Sequence, residues 1–222
     1  MLFKVPSNLH LMHRSFCGAK SIVKESFKDA QSLILFNKLE TRQLIGNSFL
    51  VQEDFITPEE EERLIKEIDP LLKRYKYDDT HIDHAIKQYK EIERSKWTSP
   101  NQVIIDRIRT AVFSSGEKIL DPVHVLDLSP NGFIKPHLDS VRFCGPTIGG
   151  VSLLSDCVMR FIHEKDQSLV MDVWLKRRSL YIMKDTARYL FKHEILGSEN
   201  SMFGNTVVPR SRRVSIICRC LP

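Results

Sequence analysis

From Pro122 onward the sequence breaks into short apolar runs, at 123–128, 133–138, 149–154, 157–163, 169–175, 179–184, 188–195 and 213–220. Each is of strand length and carries the branched and aromatic residues that suit a pleated, half-buried surface. Turn-forming residues such as Pro130-Asn131-Gly132 and Gly149-Gly150 stand between several of them. About eight short strands in roughly 100 residues predict a two-sheet antiparallel sandwich or jelly roll.

The chain ahead of Pro122 has a helical texture, which makes the class α+β with N-terminal helices packed outside the sheets. Thr57-Pro58-Glu59-Glu60-Glu61 opens a helix, with Thr57 as cap, Pro58 in the first turn and Glu60 placed for a reciprocal capping box. The three acids also favour the positive end of the helix dipole. Leu64, Ile65, Ile68, Leu71 and Leu72 form its apolar stripe, with a kink expected at Pro70. A second helix is predicted with Val103, Ile104, Ile108, Ala111 and Val112 on one face. Phe49-Leu50-Val51 reads as a short strand, and residues 75–98 are polar and aromatic with no clean period.

Composition narrows the function classes. At 42% hydrophobic and 27% charged residues the chain is ordinary for a protein that buries a core. No apolar run approaches the roughly 20 residues needed to span a bilayer, so no membrane insertion is expected. The five cysteines form no CxxC pair, which argues against a disulfide framework or structural zinc and fits a reducing compartment. The formal charge is +5, yet residues 1–30 hold five cations against Glu25 and Asp29, leaving only +2 for the rest. A body so nearly balanced exerts no long-range pull on phosphate. The first 24 residues contain no acid and are basic and amphipathic, the pattern of a transit peptide drawn in by a negative-inside potential. A disordered basic tail is the other reading. The expected organisation is a mitochondrial leader over 1–24 and one domain over 45–222, helical to about 121 and β-rich over 122–222, in the mitochondrial matrix.

His137-Leu138-Asp139 falls on or just after a strand, where residues two apart point to one side and can chelate a single ion. His193 lies 54 residues beyond Asp139 on a late strand. Two histidines and one carboxylate on one face of an ion leave positions open, the donor set of Fe(II) oxygenases. The motif alone is weak. His81-Ile82-Asp83 is a second HxD, and His137 stands 56 residues past His81 just as His193 stands 56 past His137. Spacing cannot choose between the two sets. Context favours His137, Asp139 and His193, which lie inside the β-rich half with a single basic strand after them. His124 and His163 lack an acid two residues on and read as background.

An enzyme of that kind needs a cation for the distal carboxylate of 2-oxoglutarate, and arginine suits it by bidentate hydrogen bonding. Arg213 and Arg219 are six apart on the final strand, so both project to the face of Ser215 and Ile217. An inward arginine is costly without an anion. Arg210 and Arg212, in the Arg210-Ser211-Arg212-Arg213 run, read as solvated surface. Tyr181 either adds a hydroxyl to the same carboxylate or is a buried core tyrosine.

These residues carry a resemblance. The stretch from about Val123 to the C-terminus resembles the AlkB group of Fe(II)/2-oxoglutarate dioxygenases, and within it the mitochondrial AlkB homologue seven subfamily. The similar segments include Ile134-Lys-Pro-His137-Leu-Asp139-Ser, Ser152-Leu-Leu-Ser, Ser179-Leu-Tyr181-Ile, Ala187-Arg-Tyr, His193-Glu-Ile-Leu and Arg212-Arg213-Val-Ser215-Ile-Ile-Cys-Arg219. The resemblance implies a double-stranded β-helix, iron on His137, Asp139 and His193, and 2-oxoglutarate on Tyr181, Arg213, Ser215 and Arg219. Two departures stand out. The family's closing Arg-x-Asn-x-Thr-x-Arg is Arg213-x-Ser215-x-Ile217-x-Arg219 here, and the Asn-x-Tyr ahead of the iron motif is Leu126-Asp127-Leu128.

The implied chemistry consumes O2 and 2-oxoglutarate, releases succinate and CO2, and hydroxylates a C–H bond; on an N-methyl group the product collapses to formaldehyde and the free amine. Two substrate classes follow. A protein side chain fits the near-neutral body and the lack of a recognisable nucleotide-recognition lid. Methylated mitochondrial RNA fits the wider family, with Tyr75, Tyr77, Tyr89 and Trp97 available to stack on a flipped base. A binding module without catalysis is disfavoured, because every ligand position is filled. The resemblance further links the subfamily to fatty-acid and energy metabolism and to programmed necrosis after alkylation damage.

Overall fold

The computed structural model describes residues 33–79 and 85–222. The leader at 1–24 and the second HxD at 81–83 lie outside the described residues.

The described chain runs β1 (Ile34–Phe36), α1 (Leu39–Ile45), β2 (Phe49–Gln52), α2 (Pro58–Leu72), β3 (Ile86–Arg94), α3 (Ser99–Val112), β4 (Val123–His137), β5 (Thr147–Leu153), β6 (Cys157–His163), β7 (Val170–Leu175), β8 (Leu180–Lys184), α4 (Asp185–Tyr189), β9 (Phe191–Ile195), β10 (Met202–Phe203), β11 (Thr206–Val207) and β12 (Arg213–Arg219). Ten strands form one sheet in the order β1-β7-β6-β9-β4-β12-β5-β8-β2, with β3 also pairing on β4, and every pairing is antiparallel. This is the curled sheet of a jelly roll.

β4 holds the two halves together. The runs at 123–128 and 133–138, expected as two strands, are one continuous strand. Its first half pairs with β12, and its far end pairs with β9. Gly149-Gly150 likewise is not a turn but the middle of β5. A Cβ at Gly149 would come within 2.3 Å of a Val112 methyl on α3, and one at Gly150 within 3.0 Å of the Tyr181 hydroxyl. The glycines mark close approach on both faces of the strand.

Alternation along the central strands sorts side chains into two cores. Val123, Val125, Val151, Leu153, Val214 and Ile216 face α2 and α3, where they meet Leu64, Ile68, Ile104 and Ile108. Leu126, Leu128, Ile148, Tyr181 and Met183 face the inside of the curl. Strands covered on both faces read as nearly unbroken apolar runs, which is why most of them are legible in the sequence even where, as in β4, their extent is not.

α2 forms as expected, with the Thr57–Glu60 capping box made in both directions. Leu64, Ile68 and Leu72 are its buried apolar positions, Glu61 is buried beside them, and Pro70 stands in its last turn. On α3 the buried face is Ile104, Ile105, Ile108 and Val112, while Val103 points to solvent, so the expected stripe is rotated by one side chain. β1, α1, β3, α4 and the β10–β11 hairpin escaped the sequence reading. β1 carries the folded unit back beyond residue 45, since it pairs with β7 at Ile34–Val173.

Candidate active site

The inside of the curl holds a cavity of about 760 Å³, and all seven residues singled out above reach it: His137, Asp139, Tyr181, His193, Arg213, Ser215 and Arg219. Two neighbouring strands build the ligand group. His137 on β4 stands directly opposite His193 on β9 in the sheet register, and their rings lie 4.3 Å apart. Asp139 follows two residues after His137, with its oxygens 3.8 Å from His137 Nε2 and 3.7 Å from His193 Nε2. The three donor atoms fall within 4.8 Å of one another, the only such cluster among the described residues.

The protonation states suit a cation. Burial holds the His193 imidazole neutral, its pKa pulled down to about 4. Burial works against ionising Asp139, but His193, His137, Arg188 and Arg219 outweigh it and keep the carboxyl below the usual range. His137 Nδ1 lies 2.9 Å from the Lys135 carbonyl, so a proton there leaves Nε2 free to ligate. Among the described residues His193 Nδ1 has no hydrogen-bond partner.

The other wall is cationic. Arg213 is 2% exposed and its Nε donates to Ser152 Oγ at 3.0 Å. Among the described residues no acid pairs with it. A buried guanidinium without a carboxylate partner is an anion site in search of its anion. Tyr181 is 5% exposed, and burial, opposed by Arg213, pushes its hydroxyl well above the ordinary phenol range, so it remains a donor. Arg219 is different, since it donates to Glu93 at 2.8 Å and lies 3.1 Å from His124 Nδ1.

Several contributors were missed. Ser152, which orients Arg213, appeared only inside a similar segment. His124, read as background, is not in the ligand cluster but does contact Arg219; its shared face with Leu126 was the available signal. Arg188 is 1% exposed and donates to the Cys144 carbonyl and thiol, tying down the loop that follows Asp139. Arg210 and Arg212, expected as solvated surface, are both engaged. Arg212 makes a two-pronged pair with Asp127 at 3.0 and 2.9 Å and reaches Asp69 at 2.7 Å, while Arg210 donates to the Leu196 and Gly132 carbonyls. Asp127 faces the helices, so the departure at Leu126-Asp127-Leu128 turns Leu126, not the acid, to the cavity.

No protein-family model matches the chain. Curated relatives do. It is 49% identical over 173 residues to the Mus musculus protein "Alpha-ketoglutarate-dependent dioxygenase alkB homolog 7, mitochondrial", covering 78% of both chains. It is 46% identical over 178 residues to the Bos taurus protein of the same name, covering 80% of both. An uncharacterised Acanthamoeba polyphaga mimivirus protein, L905, is 29% identical over 190 residues, covering 78% of this chain and 84% of that one. Among solved structures, OsALKBH1 superposes with a TM-score of 0.57 at 13% identity, over 78% of this chain and 96% of that one. A Pseudomonas putida prolyl-4-hydroxylase gives 0.55 at 16% identity, over 82% and 96%. The solved structures share the fold; identity at this level and coverage with the two mammalian proteins shows more, and the chain belongs to the AlkB homologue seven family of α-ketoglutarate-dependent dioxygenases, enzymes that use Fe(II) and 2-oxoglutarate.

Proposed function

We propose that His137, Asp139 and His193 hold the Fe(II), that Arg213, Tyr181 and Ser215 receive the distal carboxylate of 2-oxoglutarate with Arg219 assisting, and that the enzyme hydroxylates a protein side chain in the mitochondrial matrix. The metal assignment rests on a neutral imidazole, a second imidazole and an ionised carboxylate converging from β4 and β9. The cosubstrate assignment rests on Arg213, buried with a serine as its partner. Bound together, iron and 2-oxoglutarate supply the oxidising chemistry, consuming O2 and releasing succinate and CO2. The chain's own part is orientation: Ser152 fixes the Arg213 fork, the Tyr181 hydroxyl stays protonated to donate, and Arg188 holds the loop behind Asp139.

The observation carrying the substrate class is how the cations are spent. The dense basic run outside the Arg213 strand, Lys176 to Arg178, is paired residue by residue, with Glu53 at 3.0 Å, Glu61 at 2.6 Å, and Asp54. Phosphate binding needs lysines and arginines free to release counterions. The aromatics considered for base stacking are mostly engaged as well. Tyr89 is buried, Tyr77 donates to Asp127 at 3.2 Å, and Trp97 lies under the Arg94 guanidinium at 5.1 Å. Mitochondrial placement follows the names of the mammalian relatives.

Replacing His137, Asp139 or His193 with Ala is expected to abolish Fe(II) binding and succinate formation, while His81→Ala keeps both. Iron lost from the His81 variant and kept by the His137 variant overturns the metal assignment. For the substrate, a one-oxygen mass increase on mitochondrial polypeptides supports the reading. Formaldehyde release from methylated RNA, with binding that falls steeply between 50 and 200 mM salt, replaces it with RNA demethylation.

A further inference from the structure

β3 changes face partway along its length. Ile86 pairs opposite Ile134 and Lys87 opposite Phe133, but then Tyr89 is opposite Leu128, Glu91 opposite Leu126 and Glu93 opposite His124, the step falling at Gln88. Gln88 has a φ of 52°, in the left-handed region, and Asp79 accepts from its backbone N–H at 2.7 Å and from its side-chain amide at 3.1 Å. Ile86 and Glu93 are an odd number of residues apart, so strict alternation would set them on opposite faces. The bulge brings both into the cavity lining. It also places Glu93 in one cross-strand row with His124 on β4 and Ile217 on β12. Arg219, two residues past Ile217 on the same face of β12, reaches back to that row.

Arg219 is held there by one nitrogen. Its Nη2 donates to Glu93 Oε1 at 2.8 Å and lies 3.1 Å from His124 Nδ1. A guanidinium only donates, so Nδ1 is the acceptor and the imidazole proton belongs on Nε2. That nitrogen stands 3.3 Å from a Glu91 oxygen. A guanidinium carries N–H donors on every nitrogen, yet the buried Nε of Arg219 has no hydrogen-bond partner among the described residues. Glu93, His124 and Arg219 all line the cavity, and the Asp139 carboxylate feels the Arg219 charge. Its neighbours therefore aim Arg219 beside the metal group and leave it donor capacity to spare.

We propose that Glu93 and His124 are positioning residues for the cosubstrate, holding Arg219 by Nη2 so that the rest of its guanidinium meets a 2-oxoglutarate carboxylate. The inference rests on the reading above that gives Arg219 a share of 2-oxoglutarate, and it adds what prepares that arginine for the task. An arginine loose at a cavity mouth has many rotamers to lose on meeting an anion, and one already fixed does not. The Glu93 carboxylate also repels the incoming dianion. That opposing effect is the smaller one, because the Glu93 side chain is 58% exposed and its field is screened by water and salt. His124, neutral when its Nδ1 accepts, adds no such repulsion.

The test is a calorimetric titration of 2-oxoglutarate into the full-length protein loaded with Mn(II), alongside KM for 2-oxoglutarate and kcat read from succinate formation by the iron enzyme. Glu93→Ala is expected to weaken binding about three- to fivefold and to raise KM by the same factor with little change in kcat, the size of one hydrogen bond in a partly exposed ion pair. Glu93→Gln, which keeps an acceptor oxygen and drops the charge, should bind nearly as the wild type does. His124→Asn sets an amide oxygen near the Nδ1 position and should stay within about twofold of the wild type. His124→Gln reaches the Nε2 position instead and should lose about threefold. In an Arg219→Ala background neither Glu93→Ala nor His124→Gln should cost anything further. Tighter binding in both Glu93 variants, equal losses in the two His124 variants, or losses that persist without Arg219 overturn the inference while leaving Arg219 its share of the cosubstrate. Unchanged affinity in Arg219→Ala itself overturns that share, and the inference with it.

Discussion

Arg213 carries its guanidinium almost wholly out of water on the strength of a serine. Desolvating a charge costs several kcal/mol unless an anion answers it, and the partner it has, Ser152, is neutral. Arg213→Ala is therefore expected to weaken 2-oxoglutarate binding by about 2–4 kcal/mol in a calorimetric titration. Ser152→Ala, which loosens the fork without removing the charge, should cost about 1 kcal/mol of the same binding. Unchanged affinity in Arg213→Ala would place the carboxylate anchor elsewhere. Cys218 is legible in a different way. Burial pushes its thiol up from 9.0 to about 11, so the folded protein keeps a proton that the unfolded chain gives up sooner. Its contribution is present in full below pH 9 and is lost as pH rises through 11, about 2 kcal/mol by the upper end. Urea midpoints at pH 8 and pH 11 should show a drop that is smaller in Cys218→Ala.

At the scale of elements, β5 and α3 press together where only glycine fits. A methyl at Gly149 meets both Val112 methyls, at 2.3 and 2.6 Å. Gly149→Ala should destabilise the fold by about 1–3 kcal/mol, in line with overpacking elsewhere. In a Val112→Ala background the same change should cost distinctly less, and a double-mutant cycle read from denaturant midpoints measures that coupling. Equal costs in both backgrounds would mean that the contact is relieved by moving the helix. The apolar runs made β4 to β9 and β12 visible in advance because two-sided burial writes itself into composition. β3 had no such signature. Its inward residues are Ile86, Tyr89, Glu91 and Glu93, and a bulge breaks their period, so a strand looked like an irregular polar stretch.

Across the whole molecule, Asp127, the middle residue of the Leu126-Asp127-Leu128 stretch ahead of the iron motif, is a cross-brace. Asp127 on β4 is fully buried, accepts from Tyr77, and receives Arg212 from the segment leading into β12, which in turn reaches Asp69 on α2. Arg212→Leu would strand the Asp127 charge, and with Arg212 itself part-exposed the expected loss is about 2–3 kcal/mol of unfolding free energy. Thermal or urea unfolding checks this, and Asp127→Asn in the same background should recover part of it. What the sequence by itself determined was local: the strand faces, the capping box of α2, the placing of His137 and Asp139 two residues apart, and the inward projection of Arg213. Each follows from a period of two or 3.6 residues acting over a few positions. Tertiary structure alone decided the register that sets His137 opposite His193, the acids that take up Lys176, Arg177 and Arg178, and the bulge that turns Glu93 rather than Arg94 toward the cavity. Those depend on pairings between strands and side chains far apart in the chain, and no short-range period encodes a partner that arrives from that distance.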